Sequence, residues 1–247
     1  MDQQRVLQVL KELKNTGTKR NFVQSYDFII NLKNVDLKKP EQQLDFFITL
    51  NNAVGRKRKV GAFVGPELLQ QAQQVCEKAI SLDQFPEYQS KKIIKKLAKE
   101  LDFFIAQATI MPKVALQFGK ALGPRGKMPN PKLGCVVPPG ANLKVLYDKL
   151  QKIVVVKVKT HPMIQVMVGT EAMQDNDVAD NVITVYNGVI HQLPSEKNNI
   201  KSIYLKTTMG KPLRLDVDLA EKPERAEKAK RKTLPAQAKK DAAEIKP

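Results

Sequence analysis

The stretch MPKVALQFGKALGPRGKMPNPKLG, residues 111–134, joins a helical pattern to a loop rich in glycine, proline and basic residues. The pattern predicts a helix from about Pro112 to Leu122, which the following glycines and prolines end. Directly before it, the apolar run Phe103–Ile105 is typical of a short buried strand. A buried strand followed by a helix is the repeating step of α/β folds, so this stretch predicts an α/β domain.

The same step recurs on either side of this stretch. The apolar strand Val60–Val64 is followed by Gly65-Pro66 and a helical run from Leu68 to Val75. The spacing of apolar residues predicts further helices from Ile93 to Leu101 and from about Asn142 to Ile153. Strands that alternate with helices predict a small open sheet with helices on both faces, a three-layer, Rossmann-like α/β/α arrangement.

The outer segments of the chain predict an α+β pattern instead. In Phe22–Leu32, alternate residues, Gln24 among them, lie on the side of Phe22, whereas Ser25 and Asp27 point to the other side, which indicates a half-buried strand. A strong amphipathic helix, with Asp175 or Asp177 as its N-cap, ends at Pro194. The remaining elements predicted here are a helix over Val6–Leu13 and strands over Phe46–Leu50, Val154–Val158, Met163–Val168, Ile203–Thr207 and Leu213–Val217.

The chain carries a large excess of positive charge. Its 247 residues include 42 Lys and Arg against 25 Asp and Glu, a formal net charge of +17. Such a surface attracts polyanions, and nucleic acid is the leading partner. A membrane surface is the competing polyanion, but apolar runs such as residues 153–156 fall far short of the roughly 20 residues that a spanning helix needs. The first residues lack the features of a secretory signal, so we expect a cytoplasmic protein with no membrane partner.

The glycines at 119, 123 and 126 resemble phosphate-binding patterns only in part. A dinucleotide loop and a P-loop would both need glycine at 121, where the chain has alanine, and the P-loop would need Ser or Thr at 128. What remains is a rigid, basic loop that suits a phosphate backbone, or one that only folds a connection and adds solubility. The loop residues concerned are Gly123, Arg125, Gly126, Lys127, Lys132 and Gly134.

No catalytic or metal-binding constellation is apparent in the sequence. The two histidines, His161 and His191, have no Asp, Ser or Cys partner at a recognisable spacing. Cys76 and Cys135 are far apart and have no ligand at metal-binding spacing, so we expect ordinary reduced residues. Asp175, Asp177 and Asp180 suit the positive end of a helix dipole better than a metal. We therefore expect no enzyme activity and no cofactor.

A second motif, Lys206-Thr207-Thr208-Met209-Gly210, stands at the end of a predicted strand. Its hydroxyls can bond to phosphate, ribose or base edges, and its glycine lets RNA approach the backbone closely. The plainer interpretation is a β-turn between two strands. In the same way, Phe22 with Gln24 and Ser25 is either an aromatic platform with polar neighbours or a part of the core.

Two long motifs together resemble a known family. LGPRGKMPNPKLG at 122–134 resembles the signature loop of ribosomal protein L1, and SIYLKTTMGKPLRL at 202–215 resembles its C-terminal Thr-Met-Gly element. RNFVQSYDFIINLKNVDLKKP at 20–40 resembles the archaeal and eukaryotic cytosolic branch. The similarity covers roughly residues 1–218. One departure is Asn51-Asn52, which stand where relatives usually carry a Leu-Pro-His-like turn at the first hinge.

The resemblance implies two domains in a mixed α/β and α+β fold. Residues 1–56 and 154–220 would form a discontinuous RNA-binding domain of the split β-α-β type, and residues 57–153 an inserted α/β domain. The hinges would lie near Gly55 to Lys59 and Ile153 to Val155. Residues 221–247, rich in Lys, Glu, Ala and Pro, lie outside the resemblance, and we expect a basic, flexible tail.

The resemblance also implies a function and a binding surface. Family members are monomeric constituents of the large ribosomal subunit that bind rRNA of a mobile stalk near the exit site, assist release of deacylated tRNA and can repress their own mRNA. The implied rRNA-binding residues are Phe22, Gln24, Ser25, Gln165, Thr170, Thr208, Met209 and Gly210. The loop with Gly123, Arg125, Gly126, Lys127 and Lys132 is a further candidate for rRNA or tRNA contact. The alternatives are a general nucleic-acid-binding protein and a nucleotide-dependent enzyme that uses the 119–134 loop.

Overall fold

The computed structural model describes residues 1–18, 20–35, 37, 43–88, 90–158 and 160–215. The helices are α1 Gln3–Thr16, α2 Pro66–Val75, α3 Lys91–Glu100, α4 Met111–Leu122, α5 Leu143–Lys152 and α6 Asp175–Ile190. The strands are β1 Ser25–Leu32, β2 Leu44–Thr49, β3 Val60–Val64, β4 Lys78–Ser81, β5 Phe103–Gln107, β6 Val136–Val137, β7 Ile153–Val158, β8 Met163–Thr170, β9 Ile200–Thr207 and β10 Leu213–Arg214.

The first and last parts of the chain share one hydrophobic core, and we call them the discontinuous part. Four antiparallel strands form its main sheet in the order β10-β9-β1-β8. Helices α1 and α6 pack on one face of this sheet, where Tyr26, Phe28 and Ile30 are fully buried. Residues in between, such as Ser25 and Asp27, are only half-buried, because alternate side chains of a strand point to opposite faces. The second face of the sheet is therefore open.

Residues 60–153, the inserted part, form a parallel sheet in the order β4-β3-β5-β6. Every residue of β3 is buried, because helices cover both faces of the sheet. One face carries α2 and α5, and the other carries α3 and α4. On the second face, the ring of Phe63 lies 4.7 Å from that of Phe118 and 5.4 Å from that of Phe104.

Two antiparallel strands, β2 and β7, lie where the chain passes between the parts. Arg58, where the chain enters the inserted part, bonds to the residues where it leaves. Its backbone N–H donates to Gln151 Oε1 at 2.8 Å, and its guanidinium donates to the carbonyl of Ile153. Burial lowers the pKa of Arg58 from its usual value. On the side of the discontinuous part, the pair Asn51 and Asn52 bonds to α6 through Thr184, Asn181 and Asp177. Hydrogen bonds thus hold the two connecting segments to the discontinuous part and to the inserted part.

The mixed α/β fold class is confirmed, and most helices and strands lie where the sequence predicts them. The strand predicted from Phe22 begins only at Ser25. The predicted N-cap of α6 is also wrong: Gln174 takes that place, and Asp175 and Asp177 lie in the first turn. Strands β4 and β6 and a 3₁₀ segment, Leu82–Tyr88, were not predicted. The predicted tail, 221–247, and the end of the Leu213–Val217 strand lie outside the described residues.

Candidate nucleic-acid interface

Six of the predicted residues meet at one end of the open sheet. The start of β1 and the turn after β9 bring together a group that we call the ledge: Phe22, Gln24, Ser25, Thr208, Met209 and Gly210. The backbone N–H of Ser25 donates to Thr208 Oγ1 at 3.0 Å, and the two hydroxyl oxygens are also 3.0 Å apart. Thr208 Oγ1 in turn donates to the carbonyl of Ser25 at 3.3 Å. Residues 183 positions apart in sequence are thus held as one polar surface.

Gln24 holds the ledge together from beneath. Its side chain is 3% exposed, its Nε2 donates to Glu171 Oε1 at 3.1 Å, and its Oε1 accepts from the backbone N–H of Met209 at 3.3 Å. Gln24 is therefore a supporting residue and not a surface contact. Glu171, which the sequence did not single out, also accepts from the backbone N–H of Gln24.

Two large apolar side chains of the ledge are left in solvent. Phe22 is 51% exposed and Met209 is 63% exposed. Phe22 does not join the buried side of β1, because the strand begins three residues later. Exposed apolar side chains beside a fixed polar surface are typical of a binding site, and an aromatic ring and a thioether both suit the face of a base or sugar.

Gly210 lies so close to Thr207 that a larger residue would force the turn to shift. A Cβ added to Gly210 would lie 2.2 Å from Thr207 Oγ1. Thr207 is 2% exposed and thus has little room to move. The close turn itself therefore favours glycine at position 210.

Gln165 and Thr170 do not lie on the ledge as exposed groups. Thr170 pairs with Ser25 across the sheet, but it is only 7% exposed, and its hydroxyl has no hydrogen-bond partner among the described residues. Gln165 is exposed on β8, opposite Ile29, farther along the same sheet. It lines a groove between the two parts, together with Lys127 and Lys157.

The open sheet face carries further groups that the sequence patterns had not singled out. Asp27 pairs with Met167 on one side and with Lys206 on the other, and the Lys206 ammonium lies 3.9 Å from the Asp27 carboxylate. On the covered side of the sheet, a cavity of about 390 Å³ between the ledge and the end of α1 is lined by Arg20 and Lys211. The alternation in β1 and β9 could have placed Asp27 and Lys206 on the open side, whereas Arg20 and Lys211 lie outside any strand pattern.

The basic loop lies in the inserted part and is separate from the ledge. Gly126 and Gly134 have the positive φ angles of 65° and 73° that glycine adopts without strain. Arg125 donates to the carbonyl of Lys95 at 2.9 Å, and Lys127 Nζ donates to that of Leu101 at 2.6 Å. These two side chains therefore hold the loop against α3 and its C-cap residue. Gly123 and Lys132 are exposed.

The described residues contain no group of three or more His, Cys, Asp or Glu that could hold a metal ion. Burial raises the pKa of both Cys76 and Cys135 to about 11, so neither thiol is poised as a nucleophile. None of the helices in the part of the chain that the structure describes is long and apolar enough to cross a membrane.

Comparison with known proteins gives consistent matches. A sequence profile of the ribosomal protein L1p/L10e family matches residues 10–211. The large ribosomal subunit protein uL1 of Methanothermococcus thermolithotrophicus is 39% identical over 217 residues, covering 87% of this chain and 100% of the relative. The protein of the same name from Methanobrevibacter smithii is 41% identical and covers 86% of this chain and 99% of itself. The protein of the same name from Nanoarchaeum equitans is 42% identical, and the match covers 81% of this chain and 94% of the relative.

The matched residues include both motifs of the predicted resemblance almost completely, since the profile extends through the signature loop and to the end of the Thr-Met-Gly turn. The family consists of ribosomal proteins, so the prediction that the chain is not an enzyme is confirmed. The alternative of a nucleotide-dependent enzyme is set aside on the same ground. This chain belongs to the ribosomal protein L1 family.

Proposed function

We propose that the chain is a structural constituent of the large ribosomal subunit and that it binds ribosomal RNA through the ledge and the open sheet face. Relatives that align over nearly their whole length are named large ribosomal subunit proteins. The observation that carries the proposal is the ledge itself, where paired hydroxyls are fixed beside an exposed Phe22 and Met209. The protein would act in the cytoplasm, as a monomer within the ribosome.

The proposed mechanism has no bond-making step. The ledge is held by hydrogen bonds before RNA arrives, so little ordering is needed on binding, and it recognises an RNA junction by shape. The +17 net charge supplies attraction that does not depend on sequence and weakens steeply with salt. We propose the more specific role of the family as well: the stalk rRNA near the exit site is the target, and exit-site tRNA and the protein's own mRNA are further partners.

The basic loop and Gln165 would form a second, weaker contact. Gly126, Lys127 and Gln165 line the same groove between the parts, together with Arg56 and Lys157. A cleft with several cations and only Asp102 as an acidic group in its described lining suits a phosphate backbone. This groove would add affinity without sequence preference, in contrast to the ledge.

The ledge can be tested with Met209→Ala and with Thr208→Ala. We expect each to weaken binding to the stalk-junction RNA roughly tenfold, about 1.4 kcal/mol, and binding to an unrelated RNA duplex much less. Val145→Ala is the control, because Val145 is 66% exposed on α5 of the inserted part, away from both the ledge and the open sheet face. Binding is measured by fluorescence anisotropy at one fixed salt concentration.

Deletion of residues 221–247 gives the contrasting variant. We expect it to weaken the junction and the duplex equally, because a basic tail contributes nonspecific attraction. If the tail deletion and Met209→Ala lose the preference for the junction RNA over the duplex equally, the assignment of the ledge is contradicted. Failure of the protein to co-sediment with large ribosomal subunits at physiological salt would contradict the ribosomal role itself.

A further inference from the structure

An open groove on the inserted part lies far from the ledge in the fold and belongs to neither the ledge nor the basic cleft. It has a volume of about 910 Å³ and runs between α3, α4 and the 3₁₀ segment Leu82–Tyr88. Its floor is apolar and includes Phe85, Ile94 and Ala121. Leu97 of α3 and Val114, Phe118 and Leu122 of α4 are buried in the core beside the parallel sheet, and the groove is the space left between the outer sides of the two helices.

Leu116 stands at the edge of this groove and is 81% exposed. Among the large hydrophobic residues that the structure describes, none is more exposed. Helix α4 already buries Val114, Phe118 and Leu122, so Leu116 is not needed for the core. Full burial of a leucine stabilises an interaction by about 1.5–3 kcal/mol, and a leucine beside an apolar groove is therefore a ready contact for a partner.

The rim of the groove is basic. Lys91 and Lys95 of α3 face Lys113 and Lys120 of α4 across it. No acidic side chain is among the described residues that line it; Asp83 and Glu87 belong to the adjoining 3₁₀ segment but do not contribute to the lining. A partner with apolar residues along its centre and acidic residues along its flanks would complement both features.

RNA fits this groove less well than protein does. The aromatic ring in the floor belongs to Phe85, which is 5% exposed and thus offers no face on which a base could stack. The rest of the floor is aliphatic, and it would lie against the polar edges of bases if lysines held the phosphates. An amphipathic helix, in contrast, places an apolar stripe in such a groove and keeps its charged flanks at the rim.

We propose that this groove docks an acidic amphipathic helix of another protein, with Leu116 as an apolar contact and the four lysines as its charge partners. The site goes beyond the proposed RNA-binding function, since it lies on the inserted part and uses other residues. A protein-binding surface in addition to the RNA-binding ledge would let a protein partner hold the chain while the ledge contacts RNA.

The test uses the full chain and a labelled synthetic peptide of Leu, Glu and Ala, designed with one apolar stripe flanked by glutamates. A peptide of the same composition in scrambled order has the same charge without the stripe. We expect the amphipathic peptide to bind more tightly than the scrambled one, by roughly tenfold, the effect of burying about one leucine. Leu116→Ser should remove this preference, and Lys113→Glu with Lys120→Glu should weaken binding of both peptides.

Matched controls lie on α5 of the same inserted part. Val145 is 66% exposed, and Val145→Ser should leave the preference for the amphipathic peptide unchanged. Lys144→Glu with Lys149→Glu makes the same change of charge at exposed positions outside the groove. Thermal unfolding of every variant, measured in parallel, confirms that each is folded.

Three results would overturn the proposal. The first is equal affinity of the wild type for the two peptides, or no binding of either at millimolar concentration. The second is an equal effect of the groove and α5 charge variants, which would make the attraction a property of the net charge. The third is a larger loss of affinity for an RNA duplex than for the peptide in Leu116→Ser, which would make the groove an RNA contact.

Discussion

The two four-stranded sheets of the described residues differ in how their faces are covered. In the antiparallel sheet of the discontinuous part, β1 alternates between half-buried and buried residues, and one face is open. In the parallel sheet of the inserted part, all five residues of β3 are buried between helices. Of these two sheets, only the antiparallel one can therefore offer strand side chains to a ligand, whereas the inserted part must use loops and the outer sides of its helices.

This difference explains the location of each candidate contact. The ledge is made by strand ends and a turn, and its geometry is fixed by hydrogen bonds such as that between Ser25 and Thr208. In the inserted part, the basic loop comes after α4, and the lysine-rimmed groove lies between α3 and α4. Core substitutions in the inserted part should therefore lower stability without changing RNA binding. Substitutions of exposed ledge residues should weaken RNA binding without changing stability.

The largest effect is expected from Phe63→Ala. Phe63 is fully buried, and its ring contacts those of Phe85, Phe104 and Phe118. Removing a core phenylalanine costs about 3–5 kcal/mol, because it loses burial and leaves a cavity. We expect the free energy of unfolding of the inserted part to fall by that amount in urea titration. Protein that is still folded should bind the junction RNA as the wild type does.

Phe22→Ala, in the discontinuous part, should affect RNA binding and leave stability almost unchanged. Its ring is 51% exposed, so its removal should change the free energy of unfolding by less than about 0.5 kcal/mol. Binding to the junction RNA should weaken, because the ledge loses its aromatic ring. If Phe63→Ala weakens RNA binding as much as Phe22→Ala does under folding conditions, the separation between the parts is wrong.

The buried sides of the elements could be predicted from the sequence, because burial follows local periodicity. Alternation placed Tyr26, Phe28 and Ile30 on one side of β1, and all three are fully buried. The same rule was wrong for Phe22, because the periodicity does not show where a strand begins. Strands β4 and β6, of four and two residues, are too short to produce a readable pattern.

The residue types of the two segments suggested RNA contacts, but that the segments form one surface was predicted only through the family resemblance. Ser25 and Thr208 are 183 residues apart, and no local pattern shows that they share three hydrogen bonds. Glu171 was missed for the same reason: it is one polar residue after a strand, and its role depends on its contact with Gln24. Long-range partners of this kind depend on the register between strands, which the sequence of one strand does not contain.

The next effect in size comes from two glycines, one in each part, that should respond to alanine with opposite signs. In Gly210→Ala the new Cβ would lie 2.2 Å from Thr207 Oγ1, and we expect a loss of about 1–3 kcal/mol through overpacking. In Gly119→Ala the Cβ meets nothing within 4 Å, and Gly119 lies inside α4. Alanine there should raise the free energy of unfolding by about 0.5–1 kcal/mol, since it restricts the unfolded chain.

Chemical denaturation of the two variants measures both changes. Gly210→Ala should also weaken binding to the junction RNA, because the turn that presents Met209 must shift. Gly119→Ala should leave that binding unchanged. A stable Gly210→Ala variant with normal binding would show that the turn between Thr207 and Gly210 is neither close nor fixed.

The smallest effect concerns Tyr26, on the covered side of β1 beneath the ledge. Its hydroxyl is buried and has no hydrogen-bond partner among the described residues. Tyr26→Phe removes this group, so we expect the free energy of unfolding at pH 7 to be unchanged or higher by up to about 1 kcal/mol.

The same hydroxyl should make stability depend on pH. Burial, with smaller contributions from Asp175 and Glu171, raises the pKa of Tyr26 from 10.0 to about 12. Because the folded state holds this proton more tightly, the stabilisation is complete below pH 10 and is lost as the pH rises toward about 12. The free energy of unfolding, measured in urea from pH 8 upward, should therefore fall more steeply in the wild type than in Tyr26→Phe. Parallel curves would mean that Tyr26 is less shielded from water than the covered face of this sheet requires.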